Sequence, residues 1–207
     1  MKTRFSLVVL VSIALSTFFF GCTSSASASS EMRSVDQNFY GIILNGNASV
    51  YLKQGSSNSI RVEGLDENRE ELKTSVSDGA LVINAGTLRN VTIYVTMTDI
   101  NLIQVNGAGV IRATSTVNSD MLLMKINGTG IISADVRALS VGMIVIGGGK
   151  IYAGGITGDS FVKVKGNGQV ISRNLDSLRQ TATMEAVNIK QAEPTGRKSH
   201  RTLSLHN

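Results

Sequence analysis

The chain has one cysteine, one proline, two histidines and no tryptophan in 207 residues. A single thiol cannot close an intramolecular disulfide, so burial and hydrogen bonding must hold the fold. His200 and His206 both stand in a polar tail and read as solvated residues, not as metal ligands. Helical periodicity is also missing, since apolar positions nowhere recur at three- and four-residue spacing for more than a turn or two. Net charge is absent from the body of the chain. The formal value is +5, but without Lys2, Arg4, Arg197, Lys198 and Arg201 the balance is 15 basic against 15 acidic residues. Nothing here recommends nucleic acid as a partner.

Glycine is what the chain has in quantity, 21 residues of it, much of it at regular spacing. Four turns, Gly107-Ala108-Gly109, Gly128-Thr129-Gly130, Gly147-Gly148-Gly149 and Gly166-Asn167-Gly168, have first glycines 21, 19 and 19 residues apart. A period of about 20 marks a stacked repeat. Before each turn stand alternating apolar residues: Ile103 and Val105, Met124 and Ile126, Met143 and Val145, Val162 and Val164. After it come Ile111, Ile132, Ile151 or Val170, and two residues later a small one. Period 2 on both sides places these side chains on one face of each strand, and stacking successive coils removes that face from water. The expectation is an all-β solenoid. A phosphate-cradling role for the glycines is disfavoured because each pair opens another strand instead of a helix.

The template continues upstream in degraded form through Ile42-x-Leu44-x-Gly46, Ile60-x-Val62-x-Gly64 and Leu81-x-Ile83-x-Ala85. Key positions 46, 64, 85, 107, 128, 147 and 166 imply about seven coils in succession. The charged stretch Leu65 to Thr74 reads as a surface loop.

At the amino end, Lys2 and Arg4 precede an apolar run from Phe5 to Phe20, then Gly21 and Cys22. The run is too short for a membrane span and suits an export signal. A lone cysteine after a small residue resembles the lipobox of bacterial lipoproteins, which implies that Cys22 is acylated and becomes the mature N-terminus. Phe19 and Phe20 depart from that motif; the competing reading is an ordinary signal cut near Ala26 or Ala28. Thr23 follows the cysteine where inner-membrane retention would need Asp. The expected organisation is a lipoprotein signal over 1–22, a Ser/Ala-rich tether over 23–35, a solenoid over 36–176, and an end cap with a polar tail over 177–207. Leu175, Leu178, Val187 and Ile189 are the apolar residues available to the cap.

Phe39-Tyr40-Gly41-Ile42, Val50-Tyr51-Leu52-Lys53-Gln54-Gly55, Ile60-Arg61-Val62-Glu63-Gly64, Val76-Ser77-Asp78-Gly79-Ala80-Leu81-Val82-Ile83 and Val91-Thr92-Ile93-Tyr94-Val95-Thr96, with the Gly-x-Gly turns, carry a resemblance. From about Ser34 to Asp176 the chain resembles the putative auto-transporter adhesin, head GIN domain family of bacterial envelope lipoproteins. The resemblance implies a right-handed parallel β-helix-like fold and a surface location; with the lipid on Cys22, the expected place is the outer membrane of the bacterial envelope, periplasmic or surface-exposed. This chain departs from the family at Met97, where a proline is usual, and after Ser172, where further Gly-Ser-Gly coils usually follow.

Enzymes on parallel β-helices need paired carboxylates, or calcium-binding acids with a basic residue, on one exposed face. The outward columns beside the turns are Gln104, Lys125, Ile144, Lys163 and Asn106, Asn127, Ile146, Lys165, with no carboxylate. Asp120, Asp135 and Asp159 fall one per coil near the opposite corner, where Asp most often makes turn hydrogen bonds. The expectation is therefore a non-catalytic envelope lipoprotein without cofactor or metal, an adhesin or a module binding polysaccharide or protein. Asn106, Lys125, Asn127, Lys163 and Lys165 are the candidate outward binding face. A purely structural envelope role is the alternative and a carbohydrate-active enzyme the weakest reading. The membrane, through the lipid, is the first expected partner, and self-association is left open.

Overall fold

A computed structural model describes residues 29–33, 37–64, 71–88 and 90–185. Cys22, the signal, most of the tether, Val187, Ile189, His200 and His206 lie outside them. The strands are β1 (Ser29–Arg33), β2 (Gly41–Gly46), β3 (Ser49–Gln54), β4 (Ser59–Gly64), β5 (Lys73–Ser77), β6 (Ala80–Gly86) and β7 (Thr92–Met97). They continue with β8 (Leu102–Gly107), β9 (Val110–Ala113), β10 (Val117–Gly128), β11 (Ile131–Gly147), β12 (Lys150–Lys165) and β13 (Gln169–Glu185).

The fold is all-β, an open sheet curled into a half-barrel around one apolar core. Period 2 produces this directly. Ile103, Val105, Met124, Ile126, Met143, Val145, Val162 and Val164 are each at most 2% exposed, and burying one such side chain contributes about 1.5–3 kcal/mol. Long strands turn corners without losing pairing: β11 lies on β9 through Ile131–Ser133 and on β10 from Val136 onward. In this way the inward residues of both stretches join the same core.

The glycines make the corner stackable. Gly128 has φ 125°, and a Cβ there would stand 2.5 Å from the Gly107 carbonyl oxygen. No L side chain suits that backbone, and the next coil leaves no space for one. The second glycine has another role: a Cβ on Gly130 would meet Val105 Cγ1 at 2.5 Å, so its hydrogen leaves room for the previous coil's core.

The strand order corrects the succession of about seven coils. From β8 onward the order follows the sequence, with β8 on β10, β10 on β11, β11 on β12 and β12 on β13, all parallel. Upstream it does not. β2 and β3 sit directly against β8 and β9, and β6 and β7 stack on their far sides. The ladder therefore runs Gly86, Gly46, Gly107, Gly128, Gly147, with Gly86 in place of position 85 after a bulge at Asn45/Gly46. Gly64 is off the ladder because β4 runs antiparallel between β7 and β1. A sequence period fixes which residues share a column, but not which segments become neighbours. The Asp78-Gly79 turn reverses the chain: both residues have positive φ, 53° and 73°, as a two-residue hairpin loop requires, and β5 pairs antiparallel with β6.

Two boundaries also differ from the expectation. Residues 29–33 of the tether range form β1, whose main chain covers the edge of β4. At the other end β13 runs past Asp176 to Glu185, pairing with β12 as far as Lys165. Backbone pairing there continues without the Gly-x-Gly template. Leu175 packs against the core, whereas Leu178 is 80% exposed and covers nothing.

Candidate functional site

Register places all five candidate residues on one outer face. Gln104, Lys125, Ile144 and Lys163 form one column, and Asn106, Asn127, Ile146 and Lys165 the next. The asparagines are not open donors, however. Asn127 Nδ2 donates to Asn106 Oδ1 at 2.9 Å, Asn106 Nδ2 donates to Asn45 Oδ1 at 2.7 Å, and Asn45 Nδ2 donates to Asn84 Oδ1 at 2.7 Å. Gln104 Nε2 adds a second bond to Asn106 Oδ1 at 2.9 Å. The four asparagines form an amide ladder across β6, β2, β8 and β10, each bond polarising the next. It stitches the outer face at the glycine corner. The lysines are arranged differently: Lys125 and Lys163 flank Ile144, and Lys165 stands in register with Glu185.

The adjoining outer face, built by the strands that follow the glycine corner, carries what the sequence reading missed. In one column Arg61, Tyr94, Tyr51, Arg112, Ser133, Tyr152 and Ile171 stand side by side on seven strands. The Tyr51 and Tyr94 rings stack with centroids 5.4 Å apart, and the Arg61 guanidinium lies 4.1 Å from the Tyr94 centroid. Glu63 pairs with Arg61. Partial desolvation, and secondarily a hydrogen bond with Glu63, hold the Tyr94 phenol above its ordinary pKa. The faces of Tyr94 are thus covered by neighbours, and this end of the column works as cross-strand packing. At the other end Tyr152 remains 38% exposed, above a groove of about 490 Å³ that Asp135, Lys150 and Asn174 also line. The alternating Val-Tyr-Leu and Ile-Tyr-Val segments were the available signal for the stacked pair. Nothing in the local sequence marked Tyr152.

Asp120, Asp135 and Asp159 do not pair with one another across the sheet. Asp159 accepts two hydrogen bonds from Arg179, at 2.8 and 3.0 Å. These bonds, more than the guanidinium charge, hold its carboxyl below the ordinary range and raise Arg179. Asp135 stands opposite Gly154, on a different column. Among the described residues no group of His, Cys, Asp and Glu could hold a metal ion, and no helix is long and apolar enough to cross a membrane.

Solved structures share the fold. A putative adhesin from Bacteroides fragilis superposes with a TM-score of 0.69 at 19% identity, over 77% of this chain and 78% of its own. A putative adhesin from Parabacteroides distasonis gives 0.60 at 13%, over 77% and 79%. A protein from the same species described as a putative lipid binding protein gives 0.62 at 12%, again over 77% and 79%. No curated protein matches. The family model of the putative auto-transporter adhesin, head GIN domain matches residues 38–195. With most of the chain inside that match and the fold shared with adhesin-like structures, the protein belongs to the head GIN domain family of putative auto-transporter adhesins.

Proposed function

We propose that this protein is a non-catalytic cell-envelope lipoprotein, anchored through Cys22, that binds polysaccharide or protein on the outer faces of its sheet. The adhesin description of its family supports a surface or envelope location, and the Gly21-Cys22 sequence after the apolar run supports the anchor at the outer membrane. The in-register region from Leu102 to Glu185 supports reading that part as a short parallel β-helix-like solenoid. The observation that carries the binding reading is the combination, on flat outer faces, of exposed aromatic and aliphatic side chains with polar groups that have no partner among the described residues. Tyr152, Phe161 and Ile146 are 38–40% exposed, and Lys125 and Lys163 flank Ile144 on the same face as Ile146. Unengaged groups around apolar contact area are what a partner uses.

One observation favours a purely structural role: the amide ladder consumes Asn106 and Asn127 internally. The enzyme reading loses support where Asp159 is tied to Arg179. Cells displaying the full chain should be retained on surfaces coated with envelope polysaccharide or glycoprotein, relative to cells lacking it. Equal retention on every coating would leave the structural reading. Release of new reducing ends from the polysaccharide would instead make it an enzyme.

A further inference from the structure

Tyr152 is the centre of a small grid on the second outer face. Along β12 it has Lys150 on one side and Gly154 on the other. Across to β11 lie Ser133 and Asp135, and across to β13 lie Gln169, Ile171 and Asn174. Strand spacing of about 4.8 Å and a rise of about 3.3 Å per residue give this grid a span of roughly 10 by 13 Å.

Two local irregularities shape it. The register between β12 and β13 slips between Tyr152 and Gly154, so that Ile171 opposes Tyr152 while Asn174 opposes Gly154. Such a bulge re-aims the side chains beside it, here bringing Asn174 into the outward row. Gly154 supplies the second irregularity. A Cβ at that position would stand 2.3 Å from Asp135 Oδ1; the Asp135 carboxylate lies where a side chain at 154 would be. The groove that results measures about 490 Å³, within the usual range for small-ligand sites.

The polar side chains in the groove are unengaged. Ser133, Asp135, Lys150, Tyr152, Gln169 and Asn174 have no side-chain hydrogen bond or ion pair among the described residues. Several such groups elsewhere on the surface are used up: Asp159 on Arg179, Glu63 on Arg61, and four asparagines on one another. Around the exposed Tyr152 ring the donors and acceptors are open instead.

Their chemistry selects a ligand class. A pyranose ring offers an apolar C–H face to an aromatic ring and a rim of hydroxyls that both donate and accept. Tyr152 and Ile171 provide the apolar bed. Asp135 accepts from hydroxyls; Lys150 donates to hydroxyl or ring oxygens, and the amides of Gln169 and Asn174 do both. Among the described lining residues one carboxylate and one ammonium balance, so an acidic sugar would bring like charge against Asp135 and a phosphate would find a single lysine.

We infer that the Tyr152 groove binds a neutral sugar residue of a glycan chain. This deepens the binding reading above and rests on it. The ring stacks on Tyr152, and adjacent hydroxyls meet Asp135 on one side and Asn174 and Gln169 on the other. A span of roughly 10 by 13 Å accommodates one or two sugar units of a longer chain.

Titration calorimetry of the purified full-length protein against chitotetraose, cellotetraose, mannotetraose and a heparin-derived tetrasaccharide tests this. At least one neutral oligosaccharide should bind saturably. Tyr152→Ala and the isosteric Asp135→Asn should each weaken it about tenfold or more, while Leu139→Ser, at an exposed position outside the groove, should leave it unchanged. If Tyr152→Ala lowers the melting temperature, Asp135→Asn still decides, because it preserves volume. A neutral sugar that binds both groove variants like wild type overturns the assignment of the groove. Binding of the heparin fragment alone overturns the neutral class. If no sugar binds while displaying cells still adhere to a protein coating, the sugar inference falls and the adhesin reading stands.

Discussion

Asn106 is held on three sides: it accepts from Asn127 and Gln104 and donates to Asn45. Asn106→Leu would strip Asn45 of its donor and Asn127 of its acceptor on a half-buried face. A loss of about 1–3 kcal/mol in denaturant unfolding is expected. One position before Asn127 the core residue Ile126 stands between Val105 and Val145 and is fully buried. Ile126→Asp should cost several kcal/mol even after protonation, whereas Lys125→Asp, on the outward side, should cost about 0.5 kcal/mol. Comparable thermal losses would contradict this register. Asp159 adds a pH dependence of known sign. Because Arg179 lowers its folded-state pKa, its contribution is present above the ordinary carboxyl value of about 3.9 and fades as pH falls through the lowered one. Arg179→Gln should return the Asp159 titration, followed by NMR, toward that ordinary value. Inward residues such as Ile126 were legible from alternation alone. The amide ladder was not, because its partners Asn45 and Asn84 come from segments whose spatial neighbours no period could name.

Among the elements, β13 shows how far backbone pairing extends without a side-chain template. Its hydrogen bonds with β12 run to Glu185, although the alternating pattern ends near Ser172. Cutting after Asn174 removes the cover from Gly155 to Lys165 of β12, opening an edge beside Val162 and Val164. Lower melting and end-to-end association should follow. Cutting after Glu193 removes a stretch with three basic residues, no acid and few apolar groups, and should leave the melting temperature unchanged. Light scattering and thermal melts distinguish the two truncations, and wild-type behaviour of both would show that β13 protects nothing. The repeat from Leu102 to Val170 was readable because each coil repeats the same alternation about the same glycine corner. The Asp78-Gly79 hairpin was readable in principle from its turn chemistry. The Tyr152 groove was hidden for a physical reason: it depends on a bulge between two strands and on residues from three coils.

At the scale of the whole molecule, the anchor can be tested apart from the fold. Cys22→Ala should abolish incorporation of labelled palmitate and release the protein from the membrane fraction or leave it as uncleaved precursor. Equal labelling of variant and wild type would falsify the lipid attachment. The sheet order has a further consequence, for how such proteins change length during descent. From β11 onward strand pairing links each coil only to the coils before and after it in the chain. A unit such as Thr129 to Gly147 can be duplicated or lost with every column still in register, since Gly128 then takes the place of Gly147 in the ladder. Upstream, β2 and β3 are clasped between β6 and β7 on one side and β8 and β9 on the other. A change of one unit there would break a clasp closed by residues from three parts of the chain. Loss or gain of one whole unit should therefore be tolerated in the carboxyl-terminal half and disrupt folding in the amino-terminal half, which thermal melts of the two deletion variants would check.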